Sequence, residues 1–231
     1  MLRIIDTSKN ILANTTSFYS NNNAVFADMC NAADFPSQSY LEEAGYSLNF
    51  SIKKLYKTLH GIFPKVAWRK LVSNNQGAGK WKFTLQMAAH GRLLTRDRIS
   101  KWGIQTSLDC PLCEQDQGSI QYLFFDCMTA GNIWRKLLAW QGVHRPPMNW
   151  TEELQWATRF CKGRSRGAEM HRISIAAAVH YVWQEKNYRI FQSTRRSEAT
   201  ILRRNIQEVY YKASLVPKLA CYVVQFNSYP T

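Results

Sequence analysis

The chain has 231 residues, enough for one large domain or two small ones, and its 45% hydrophobic and 13% aromatic content can fill a core. Thirty Lys and Arg against 16 Asp and Glu give a net charge of +14, which favours polyanions as partners. No run of about 18 apolar residues is available to span a membrane, and the first twenty residues lack the apolar core and small-residue cleavage site of a secretion signal; a soluble, intracellular protein is the expectation.

Residues 1–48 are rich in Asn and Ser and have no sustained period. They read as a poorly ordered leader, with at most one short element near 40–44. From Ser51 onward the punctuation is helical. Ser51 caps a helix over 52–59, and Gly61 stops it. Pro64 opens a second helix holding Val66, Trp68, Leu71 and Val72, and 74–79 is a loop by composition. A third helix is expected over 80–90, with Trp81, Leu85 and Ala88 on one face and Gly91 as its stop. Thr95 caps a fourth over 96–102, closed by Gly103.

After the cysteine segment, 129–140 carries Ile133, Trp134, Leu137 and Leu138 and ends at Gly142. Pro146 and Pro147 break the chain, and Asn149 or Thr151 starts a helix over 152–161. A basic linker, 163–167, leads into the longest helix, 168–191, with Ile173, Ala176, Val179, Trp183 and Ile190 as its buried stripe. Ser197 caps a last helix to about Ser214, and 216–231 reads as a tail. Strand signals are weak, so the fold class is all-α, an irregular multi-helix domain with a small zinc-knuckle-like Cys turn followed by longer C-terminal helices.

Of the six cysteines, Cys30, Cys161 and Cys221 stand alone and read as ordinary thiols. Cys110 and Cys113 are separated by two residues and followed by Cys127, a pattern that in a reducing compartment points to metal rather than disulfides. Two thiolates on a tight turn grip one zinc ion, and further ligands come from a following helix, here 119–127. The residues four and five before Cys127 are Leu123 and Tyr122, and neither is an ordinary zinc ligand. Spacing alone therefore supplies three ligands, Cys110, Cys113 and Cys127. It leaves open a complete tetrahedral site, partial binding or none, with His144 and Cys161 as substitutes that nothing in the spacing brings close.

Several motifs in fixed order add to this. They are 50–56 (Phe-Ser-Ile-Lys-Lys-Leu-Tyr), 64–72 (Pro-Lys-Val-Ala-Trp-Arg-Lys-Leu-Val) and 82–95 (Lys-Phe-Thr-Leu-Gln-Met-Ala-Ala-His-Gly-Arg-Leu-Leu-Thr). Trp102-Gly103-Ile104, Cys110-Pro-Leu-Cys113, Leu123-Phe-Phe-Asp-Cys127 and the stretch 177–191 come after them. Together they resemble the reverse transcriptase zinc-binding domain of plant non-LTR (LINE-type) retrotransposons, over roughly residues 49–192. The resemblance implies a Cys3His zinc site whose histidine precedes Leu-Phe-Phe; here that position is Tyr122. It also implies an acid where this chain has Gly118, and makes His90 a packing or capping residue. The implied organisation is a leader (1–48), the zinc-binding-like domain (49–142), a helical extension (143–215) and a tail (216–231).

Catalytic constellations are missing. A polymerase needs neighbouring aspartates and a third carboxylate to hold two metal ions, and Phe26-Ala27-Asp28 is followed by Met29. Gly77-Ala-Gly79-Lys80 is too short for a phosphate-cradling loop, and no His lies within 20 residues of Cys113 to activate it as a nucleophile. The expectation is no enzyme and no small-molecule substrate.

Two functional readings remain. Residues 51–104 hold twelve bases and one acid, Asp97, so Lys80, Lys82, Arg92, Arg96, Arg98 and Lys101 are the candidate contacts to an RNA or DNA backbone, without sequence readout. Trp81 and Trp102 read first as core residues, with stacking on unpaired bases as the alternative. A nuclear address follows from charge and resemblance. The other reading is a decayed or domesticated helical interaction domain that binds neither zinc nor nucleic acid.

Overall fold

The all-helical expectation holds. The computed structural model, which describes residues 64–105 and 107–226, contains helices, one isolated antiparallel bridge between Asp109 and Gln117, and no strand among the described residues. The chain divides between Pro64 and Lys65, and every helix from Arg69 onward belongs to the second unit. The expected leader, the helix over 52–59 and Phe26-Ala27-Asp28 lie outside the described residues.

Helix α1 is Arg69–Ser73, α2 is Gly79–Ala89 and α3 is Arg96–Ser100. Helix α4 is Ile120–Leu123, α5 is Met128–Trp140 and α6 is Trp150–Phe160. Helix α7 is Arg166–Phe191, α8 is Glu198–Ser214 and α9 is Pro217–Val223, followed by a 3-10 turn, Val224–Phe226. Local chemistry places several of these ends. Asn149, Ser165 and Ser197 each accept a hydrogen bond from a backbone N–H in the first turn of the helix that follows. Gly91, Gly103 and Gly142 all have positive φ, the left-handed conformation that ends a helix without a Cβ clash.

Helix α7 is the axis of the fold. Its 26 residues extend about 39 Å at about 1.5 Å each, and α1, α2, α5, α6, α8 and α9 all touch it. From Met170 to Val179 every residue is buried, so this half is enclosed on all sides rather than along one stripe. Of the expected stripe, Ile173, Ala176 and Val179 are fully buried, whereas Trp183 and Ile190 are only half-buried where the enclosing helices thin out. Helix α2 lays Trp81, Leu85 and Ala88 against α7, and a hydrogen-bonding contact between Thr84 Oγ1 and His180 Nδ1 (3.0 Å) fixes the pair.

Enclosure on all sides forces polar residues inside. Arg172, 2% exposed, donates to the carbonyls of Cys161 (2.8 Å) and Gly163 (3.2 Å), which satisfies the end of α6. Glu153 accepts from Trp134 Nε1 (2.8 Å), from both terminal nitrogens of Arg145 (2.7 and 2.6 Å) and from the Met148 N–H. Asn75 accepts from the Gly77 N–H (2.7 Å) and donates to the carbonyls of Leu71 and Arg172. A Cβ on Gly77 would meet Asn75 Oδ1 at 2.8 Å, so Gly77-Ala-Gly79-Lys80 is a tight entry into α2.

Three expectations are corrected. Pro64 does not open the second helix, which begins only at Arg69 and leaves Val66 outside it and exposed. Thr95 does not cap α3 with its side chain; the hydroxyl is buried without a partner. The 216–231 tail begins with a helix: Pro217 sits in the first turn of α9, Leu219 and Val223 are buried, and Trp140 Nε1 donates to the Phe226 carbonyl at 3.2 Å.

Candidate metal centre

The cysteine turn is built by backbone geometry. The Glu114 N–H bonds back to the Cys110 carbonyl (2.8 Å), with Glu114 itself at φ 60. The Asp109–Gln117 bridge closes the loop, and the Gly118 N–H reaches the Leu108 carbonyl (2.8 Å). A Cβ at Gly118 would stand close to the Asp109 carbonyl, at 3.3 Å, and to Cys110 Cα, at 3.4 Å.

Ser119 then caps α4, accepting from the Tyr122 N–H at 3.3 Å. The helix expected over 119–127 stops at Leu123. The chain widens, and the Cys127 N–H reaches five residues back to the Tyr122 carbonyl (2.8 Å). That wide turn sets a spacing of five, awkward for a regular helix, on one side. Leu123, Phe124 and Phe125 are buried and pin the turn from below: Phe124 and Phe125 pack on Trp150 with ring centroids at 5.0 and 5.6 Å, and Phe125 packs on Trp134 at 5.3 Å.

Side chains from elsewhere tether the loop. Arg189 of α7, held by Glu185 (2.8 Å), donates to the carbonyls of Leu112 (2.8 Å) and Pro111 (3.3 Å). Thr129 Oγ1 donates to the Leu112 carbonyl, Arg96 donates to the Asp109 carbonyl (2.8 Å), and Arg195 pairs with Glu114. No periodicity in the sequence announced Arg189 as a partner of a turn 77 residues away.

The three predicted thiols converge. The ligand atoms of Cys110, Cys113 and Cys127 lie within 4.8 Å of one another, and the Cys110 and Cys127 sulfurs are 3.7 Å apart. With Zn–S of about 2.3 Å, a tetrahedral site has an S···S edge of about 3.8 Å. Tyr122 is at the cluster too, its hydroxyl 3.2 Å from Cys113 Sγ. The hydrogen bond with Cys127, helped by backbone N–H groups and opposed by burial, brings the Cys110 thiol down to about 6. The same bond, then burial, pushes Cys127 up, and the contact with Cys113, then burial, pushes Tyr122 up. Thiol-rich donors at this spacing fit a soft or borderline ion such as zinc. Cys161 is instead buried against the Ala168 carbonyl (3.4 Å), and His144 lies exposed on the loop before α6.

The basic candidates are divided. Arg98 and Lys101, with the 59% exposed Trp102, line a cavity of about 650 Å³ whose other walls include His90, Asp97, Gln121 and Trp150. Arg98 also donates to the Gly91 carbonyl. A second cavity, about 450 Å³ and lined by Arg159, shares Ala89, Gln121 and Trp150 with the first. Lys80 and Lys82 sit at the far end of α2, about 15 and about 12 Å from His90 by helical rise; Lys80 is exposed and Lys82 partly so. Arg92 is exposed outside both cavities, and Arg96 is engaged by the cysteine turn. Trp81 is core and Trp102 is not. His90 packs edge-on against Trp68 with centroids at 4.7 Å.

Within an all-helical unit, the three-thiol turn sits on an aromatic floor and offers a donor set suited to a soft or borderline ion. Residues 50–134, less than half of the chain, match the family model described as zinc-binding in reverse transcriptase. No curated protein and no solved structure matches the chain. None of the described helices is long and apolar enough to cross a membrane.

Proposed function

We propose that this protein is a non-catalytic module of retroelement descent that holds the backbone of single-stranded nucleic acid, with the cysteine turn as its structural support. One observation carries the reading: exposed Trp102 stands beside Arg98 and Lys101 in a cavity whose wall, Ser119 to Gln121, belongs to the segment that brings Tyr122 to the thiols. An aromatic face with cations at its rim suits a stacked base and its flanking phosphates, with no demand for sequence. The family match at 50–134 and the net charge of +14 support the same reading.

Titration of labelled single-stranded RNA at two salt concentrations tests it. Binding should lie in the range of about 10⁻⁴–10⁻⁶ M and weaken with salt, and Lys101→Gln should reduce the salt slope by about 0.7. Trp102→Ala should cost roughly 1–3 kcal/mol of affinity. Affinity that ignores salt, or is unchanged in both variants, overturns the proposal and leaves a helical protein-interaction domain as the better account.

A further inference from the structure

We infer that Tyr122 is itself the fourth ligand, so that the centre is Cys3Tyr rather than a histidine site with one corner missing. The inference rests on the zinc-binding reading of the cysteine turn and adds the identity of the last donor.

Three observations point to the phenol. First, its oxygen stands beside one of the thiols at close to a ligand-edge distance. With Zn–S of about 2.3 Å and Zn–O of about 2.0–2.2 Å, the S···O edge of a tetrahedron is about 3.5 Å, and Tyr122 Oη lies 3.2 Å from Cys113 Sγ. The Cys110–Cys127 separation of 3.7 Å meets the sulfur–sulfur edge of about 3.8 Å. Contact at 3.2 Å leaves no space for a water between the phenol and that sulfur. Second, the residue is held at both backbone ends. Its N–H donates to Ser119 Oγ and its carbonyl accepts from the Cys127 N–H, the residue that carries the third thiol. Third, no competitor is present: among the described residues, no other His, Cys, Asp or Glu brings a ligand atom into the cluster.

Coordination replaces the O–H bond by an O–metal bond, and the phenolic proton leaves to solvent, as do the thiol protons of the cysteines. A hard phenolate oxygen, not an ordinary zinc donor, takes the place that a carboxylate oxygen or imidazole nitrogen commonly fills, and makes the donor set less sulfur-like than four thiolates.

The experiment is zinc titration of the full, metal-free chain at neutral pH, following bound metal and the near-ultraviolet absorbance gained when a phenol becomes a phenolate. Wild type, Tyr122→Phe and Tyr122→His are compared, with helical circular dichroism as a check on folding. Wild type should bind one zinc per chain with a gain equivalent to one phenolate. Tyr122→Phe should lose that gain and bind at least about a hundredfold more weakly, beyond the usual cost of losing an outer partner. Tyr122→His should bind zinc without the phenolate signal. Equal zinc affinity in wild type and Tyr122→Phe, with no phenolate gain, overturns the inference and leaves the zinc-binding reading standing. Zinc held by Tyr122→His but not by wild type overturns it likewise. Zinc held by none of the three overturns both.

Discussion

The cysteine turn and the helical bundle around α7 are held together by different means. In the bundle, helices satisfy their own backbone groups and cohere through apolar faces: Trp81, Leu85, Trp134, Leu137, Ile173 and Val179 are all at most 1% exposed. In the turn, a four-residue helix and one bridge leave carbonyls open, and distant side chains close them: Arg189 at Pro111 and Leu112, Arg96 at Asp109, Thr129 at Leu112. Polar tethers fix a shape without much burial, whereas packed faces supply stability. A small ligand-bearing loop can therefore keep its geometry only when a stable bundle presents the tethers.

The largest test of that contrast is Glu153→Ala. The change strands Arg145 and Trp134 Nε1, which both donate to a fully buried carboxylate between α5 and α6. Urea unfolding at neutral pH should show about 3–5 kcal/mol lost. A loss below about 1 kcal/mol would mean that the bundle does not depend on this buried network.

Acid should come next. Burial, then the charges of Arg145 and Arg172, hold His171 down to about 3. Its neutral ring is enclosed by Trp134, Trp156 and Phe160 and contacts Gln141 Oε1 through Nδ1 at 3.1 Å. The unfolded chain takes up the proton near pH 6.5 and the folded chain does not, so this stabilisation is complete above about 6.5 and declines as pH falls toward 3. One such group costs at most about 1.4 kcal/mol per pH unit. Unfolding free energies at about pH 7.5 and about pH 5 should differ accordingly, and His171→Gln should flatten the difference. An unchanged slope in the variant would place the acid sensitivity elsewhere.

The smallest effect is expected at the edge of the turn. Arg195 and Glu114 are paired, but their side chains are 67% and 58% exposed. Arg195→Ala should therefore change global stability by less than about 1 kcal/mol, as solvent screening dictates. A thermal melt that drops well beyond this would show that the turn contributes to the stability of the bundle, which would weaken the contrast.

Much of the bundle was legible in the residues. Trp81, Leu85 and Ala88 announced the buried face of α2, and Ser197 marked the start of α8, whereas α7 is capped by Ser165, inside the segment read as a linker. Helix α9 was not legible, because seven residues offer barely two turns of period and its burial depends on where Trp140 sits. Trp81 and Trp102 illustrate the same limit at the candidate interface: equal in kind, one is enclosed by α7 and the other lies exposed at the cavity rim. At the metal centre the three thiols could be read from spacing, whereas the approach of the Tyr122 hydroxyl could not.

By itself the sequence determined the helical class, the glycine-terminated helices and the three thiols with a tyrosine where a histidine is implied. Those depend on neighbours a few residues apart, where backbone conformation and side-chain type act locally. Only the tertiary structure decided that a wide turn swings Tyr122 onto the thiols, that Arg189 and Arg96 hold the loop, and that Arg98 and Lys101 share a cavity while Lys80 and Lys82 stand apart. Partnerships between distant residues depend on how helices pack, and packing is a property of the whole chain.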